Sequence, residues 1–134
     1  MKRLPIKKPQ FFTNMMKKEE LESYLSQFIG TTKYYRHWSN KLVYTDGIHG
    51  LIEAAEASWL VDLVASYQVE PKIAACPVQF WRLRKTDGSS AIVTMREDSD
   101  QPILVQQEIE YTDFPLDEQE VWLFDGVLIL PSEY

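Results

Sequence analysis

The chain has 134 residues, 45% of them hydrophobic, and carries 14 Lys/Arg against 20 Asp/Glu for a net charge of −6. That length fits one domain with its own core, and a single cysteine, Cys76, excludes an internal disulfide. The longest runs of Leu, Ile, Val, Phe or Trp, Val121–Phe124 and Val127–Leu130, are too short to span a bilayer, so a cytoplasmic protein with no membrane partner is expected.

The first segment, residues 1–14, carries four basic residues with Pro5 and Pro9 and reads as a flexible basic arm. Residues 15–134 read as one domain. Leu21, Tyr24, Leu25 and Phe28 recur at the spacing of one helical face, which predicts a helix over Met15–Ile29. Thr13 or Asn14 is placed to cap it, and Gly30 to end it in the left-handed conformation.

Gly30–Gly47, reading GTTKYYRHWSNKLVYTDG, is the densest polar-aromatic stretch of the chain. Lys33, Tyr34, Tyr35, Arg36, His37 and Trp38 stand in succession, with no period to separate a buried face from a wet one. Lys41–Tyr44 reads as a short strand at the sheet's edge, and Thr45 or Asp46 as the cap of the next helix. That helix covers about 48–68. Its two apolar stripes, Ile48/Leu51/Ile52/Ala55 and Trp59/Leu60/Leu63/Val64/Tyr67, are out of phase, which leaves one helix or two. Glu53, Glu56 and Asp62 are expected on its solvated side.

Val69–Pro77 holds two prolines and reads as a connector. Beyond it the period is two. Val78–Lys85 and Ser90–Arg96 flank a Thr86-Asp87-Gly88-Ser89 turn. Ile103–Tyr111 alternates, with Ile103, Val105, Ile109 and Tyr111 on one face. Gln119–Phe124 and Val127–Leu130 are joined by Asp125-Gly126, a pair suited to a type I′ turn. Their apolar character predicts cover on both faces. The fold class expected is α+β, with N-terminal helices packed on a C-terminal antiparallel sheet of four or five strands.

Charge is unevenly spread. Residues 1–41 carry nine Lys/Arg and three Asp/Glu, residues 42–134 carry five and seventeen, and no Lys or Arg follows Arg96. Nucleic-acid binding by the acidic half is disfavoured, because phosphates need cations. A basic protein partner suits that half.

Four groups of residues bear on chemistry. His37, Asp46 and His49 could form an acid-base or metal set, but their spacing fits no metal motif. Cys76 with either histidine would be a thiolate–imidazole pair. Glu70-Pro71-Lys72 has the E-x-K form of a nuclease core, broken by proline. Glu97, Asp98 and Asp100 lack the spacing of a calcium loop. Phosphate-loop, dinucleotide, serine-hydrolase and zinc-protease motifs are absent, so no cofactor or metal is expected.

The remaining candidate is the aromatic-basic run. Trp, Tyr and Arg are the residues of binding hot spots, and Lys33, Arg36 and Lys41 could equally meet phosphates beside stacking rings. The binding residues expected are therefore Tyr34, Tyr35, Arg36, His37, Trp38 and Asp46, in a small non-enzymatic interaction domain with an unidentified protein partner. Self-association as a homodimer stays open. A small enzyme using His37, Asp46 and His49 is the alternative, and nucleic-acid binding through the basic N-terminal segment is a second.

On GTTKYYRHW, KLVYTDG with SWLVDLVASYQ, EIEYTDFPLD and DGVLILPSEY, the chain resembles a family of short bacterial and mobile-element proteins classed as a domain of unknown function. The resemblance covers most of residues 21–134. It implies one domain in a bacterial cytoplasmic, phage- or plasmid-associated setting, and it assigns no residue a role.

Overall fold

The computed structural model describes residues 16–134. The expected arm over residues 1–14 and the caps expected at Thr13 and Asn14 lie outside them. Chain order is α1 (Lys18–Leu25), β1 (Tyr34–Arg36), β2 (Val43–Thr45), α2 (Asp46–Ala55), α3 (Ser58–Tyr67), α4 (Pro71–Ala74), β3 (Val78–Asp87), β4 (Ser90–Arg96), β5 (Val105–Ile109), β6 (Glu118–Phe124) and β7 (Val127–Ile129). A 3-10 turn follows at Pro131–Glu133.

The fold is α+β, but the sheet has seven strands in the order β1-β2-β7-β6-β3-β4-β5, rather than four or five. It is also mixed. β2 runs parallel to β7 with Val43 opposite Val127 and Tyr44 opposite Leu128, while the other pairs are antiparallel. Nor do helices simply precede strands, since β1 and β2 lie between α1 and α2. The extra strands come from the Gly30–Gly47 stretch. β2 is interior, and β1 forms the edge on that side.

The first helix is shorter than its apolar spacing suggests. After Leu25 the N–H groups of Gln27 and Phe28 bond the carbonyls of Tyr24 and Leu25, three residues back. This tightened turn puts Phe28 edge-on to Tyr24 and against Gly50 of α2. Gly30 is not in the left-handed region. The out-of-phase stripes resolve into two helices. Glu56 takes φ 51 and ends α2, and α3 starts on a new phase.

One core joins both halves. Leu21, Leu25, Ile48, Leu51, Leu60, Val61 and Val64 from the helices meet alternate strand residues Trp81, Leu83, Val93, Met95, Val121, Leu123 and Leu128. Gln79 is the buried polar member of that strand row. Its amide bonds Gln68, Ile73 O, Cys76 O and the Trp81 indole N–H, all within 2.8–3.1 Å.

The β6–β7 hairpin is not buried on both faces, as its composition suggests. Trp122, Phe124, Val127 and Ile129 are half-buried. There Phe80, Trp122, Phe124 and Tyr134 pack on one another with centroids 5.1–6.2 Å apart. Ile103 and Tyr111, expected on one face with Val105 and Ile109, are exposed, because β5 stops short of both.

Candidate functional site

The strand period separates the aromatic-basic run. Tyr34 and Arg36 of β1 are exposed, Tyr35 between them is half-buried, and His37 is 4% exposed. Trp38 stands 78% exposed. The β1–β2 turn closes through His37 N–H to Leu42 O at 3.0 Å and Asn40 N–H to His37 O at 2.9 Å, with Asn40 left-handed at φ 63.

The His37 ring fastens this turn to α3. Its Nδ1 accepts the Ser39 N–H at 3.1 Å and lies 2.8 Å from Ser39 Oγ. That leaves the ring proton on Nε2, which donates to Asp62 Oδ1 at 2.7 Å. Trp38 Nε1–H donates to the same oxygen at 3.0 Å. Asp62 therefore holds a buried imidazole and an exposed indole together. The expectation of a solvated Asp62 is corrected by this contact.

Behind the turn, the cross-strand pair Tyr35 and Tyr44 stacks at 5.5 Å, and His49 of α2 stacks on Tyr35 at 4.3 Å, nearly parallel. His49 Nδ1 is buried and has no hydrogen-bond partner among the described residues. Burial, then the charges of Tyr35, Asp62 and Glu53, push the Tyr44 phenol up from its ordinary value.

A third group forms at the start of α2. Thr45 is the cap, its Oγ accepting the Ile48 N–H at 3.3 Å. Its own hydroxyl donates to Glu133 Oε1 at 2.6 Å. Glu133 also accepts from Leu130 N–H, Gly47 N–H and the Thr31 hydroxyl. Asp46 accepts from the Thr32 hydroxyl at 2.9 Å. Burial would raise Asp46, but hydrogen bonds from Thr32, with Glu133 and Gly47 beside them, hold it below the usual carboxylate value.

The structure thus joins Tyr35 to His49, and His37 to Trp38 through Asp62. Asp46 is bonded to Thr32 and Gly47 instead of either histidine. The three members of the proposed acid-base set are committed to three different groups. Cys76 bonds the Lys72 carbonyl, and burial and then Glu97 raise its thiol, away from the nucleophilic thiolate. Glu70-Pro71-Lys72 opens the short helix α4, not a strand. Glu97, Asp98 and Asp100 sit exposed in a turn. Among the described residues no cluster of three His, Cys, Asp or Glu could hold a metal, and no helix is long and apolar enough to cross a membrane.

Sequence reasoning missed Asp62 and Glu133. Asp62 is the polar break in the α3 stripe WLVDLV, while Glu133 has no local signal.

With this geometry in place, a family model matches residues 19–134, from the second residue of α1 to Tyr134. The chain belongs to DUF6876, a family of unknown function. No curated protein and no solved structure matches it. The DUF6876 span takes in all three groups just described, from Thr31 to Glu133.

Proposed function

We propose that the chain is a non-enzymatic protein-interaction domain whose contact surface is the turn after β1, centred on Trp38 and Arg36 and flanked by Tyr34. One observation carries this reading: Trp38 is 78% exposed, yet its indole N–H is tied to Asp62 at 3.0 Å. An exposed ring ordinarily loses rotamer freedom when a partner covers it. Here that cost is reduced in advance, because Asp62 is itself anchored by buried His37. Arg36 and Lys41 are exposed on either side of Trp38 in sequence, and Lys33 is exposed just before β1, so the matching surface carries acidic groups. The lone cysteine supports a cytoplasmic setting. The acid-base reading has less support, since His37, Asp46 and His49 serve separate anchors.

The exposed rings of Tyr34 and Trp38 beside three cations also favour a second reading, a platform for single-stranded nucleic acid. Affinity capture with the full chain as bait, against an Arg36→Ala/Trp38→Ala variant of unchanged melting temperature, separates the two. A protein held by the wild type and lost from the variant supports the proposal. Equal retention contradicts it. Capture of nucleic acid, falling steeply as salt rises, favours the second reading.

A further inference from the structure

At the opposite end of the sheet from the Trp38 turn, β5 is the last strand in the order. Among the described residues no strand pairs with its outer side. The two edges are built differently. β1 is three residues long, with exposed Lys33, Arg36 and Lys41 on and around it. Short length and cations are the usual protection of an edge against pairing. β5 is five residues, VQQEI, with no Lys, Arg or Pro.

The surroundings of β5 add shape and charge. An open groove of about 740 Å³ lies between the start of β5 and the α3–α4 corner, walled by Tyr67, Glu70, Ile73, Leu104 and Val105. Leu104 is 45% exposed at its lip, and Ile103 and Val69 are exposed nearby in sequence. Lys72 is the cation on its wall. Along the strand, Gln107 faces the helices, its Oε1 accepting the Tyr67 hydroxyl at 2.7 Å. Glu108 is exposed on the other face, and Glu110 is exposed just past the strand end. In the cross-strand row of Glu108, Arg84 of β3 stands two strands in, beyond Ile92, which leaves the carboxylate at the rim of the sheet.

We propose that the outer edge of β5 takes an extended, basic segment of a partner protein as an eighth strand, with apolar side chains in the Leu104 groove and cationic ones against Glu108 and Glu110. Main-chain pairing supplies affinity in such strand addition, and alternate side chains supply specificity. The occupant's chemistry follows from the two sides of the strand: apolar and cationic residues in alternation. The inference stands apart from the Trp38 surface and survives if that reading fails.

The probe is a short fluorescent peptide of alternating lysine and valine, with an alternating glutamate and valine peptide as control. Anisotropy with the full chain should show binding of the first and not the second. Glu108→Lys/Glu110→Lys should weaken it by about tenfold, as expected for two rim charge pairs. Both positions are exposed, and an unchanged melting temperature confirms folding. Leu104→Asp, tested separately, should weaken binding as well. Hydrogen exchange should show new protection at 105–109 and none at 34–36. Equal binding of both peptides, no binding of either, unchanged affinity in the charge-reversed variant, or protection at β1 would overturn the proposal. Strong protection in the free chain of those 105–109 amides that point away from β4 would do so too, because the edge would already be taken by residues 1–15 or a second copy.

Discussion

The carboxylate of Glu133 lies where a side chain on Gly47 would begin. It accepts the Gly47 N–H at 3.2 Å and the hydroxyl of the helix cap Thr45 at 2.6 Å. The negative group therefore sits at the start of α2, where unpaired N–H groups and the helix dipole favour an anion. Two segments 86 residues apart in sequence are joined by this contact.

Gly47→Ala should consequently cost stability, although alanine is the better helix former. The new methyl displaces the Glu133 carboxylate and its charge-assisted bonds, a loss of about 1–3 kcal/mol. With Glu133→Ala already in place, the same substitution should be neutral or stabilise by up to about 1 kcal/mol. Urea denaturation of the two single variants, the double variant and the wild type measures this. Additive losses would contradict the contact.

Asp46 should leave a signature in acid. Its folded pKa lies below the ordinary 3.8 because hydrogen bonds from Thr32 outweigh its burial. A depressed carboxylate pKa contributes stability that is present above the unfolded value and lost as pH falls through the folded one. The stability gap between wild type and Asp46→Asn should therefore be constant above about pH 5 and narrow below about pH 4. A gap that is flat to lower pH would show that Asp46 is not held by Thr32.

At the Trp38 turn, stability and binding should separate. Asp62→Ala strips the buried His37 Nε2–H of its acceptor and should cost about 1–3 kcal/mol. Trp38→Ala removes a ring that is mostly in solvent and should cost less than about 1 kcal/mol, while abolishing partner capture. Thermal melts of both variants beside capture assays test the separation. A Trp38→Ala loss as large as that of Asp62→Ala would make the ring a packing element.

Gln79 is the polar point of greatest consequence in the core. Gln79→Leu keeps the apolar burial but strands the Trp81 indole N–H and the carbonyls of Ile73 and Cys76. A loss of about 2–4 kcal/mol is expected, read by urea denaturation. A neutral result would mean that water replaces the amide.

Local chemistry was legible in the sequence, and long-range pairing was not. Asp125-Gly126 announces its turn, and both residues have the positive φ, 47 and 84, that a type I′ turn needs. β4 runs over Ser90–Arg96 as its alternation indicates. The break between α2 and α3 shows as a phase change, but its place at Glu56 does not, because a left-handed glutamate carries no glycine signal. β1 is three residues whose strand character comes from pairing with β2, and β2 in turn needs β7 from the far end of the chain. The site divides in the same way. The run Tyr34–Trp38 is visible as composition, whereas Asp62 and Glu133 acquire meaning only through partners 25 and 88 residues away.

The most direct test places a photo-crosslinking amino acid, benzoylphenylalanine, at Tyr34, exposed on the edge strand that leads into the Trp38 turn, in cells that carry the native gene. A protein adduct that disappears when Arg36→Ala and Trp38→Ala are added is the predicted result. A nucleic-acid adduct, or a protein adduct indifferent to those two substitutions, would contradict a protein-binding surface centred on Trp38.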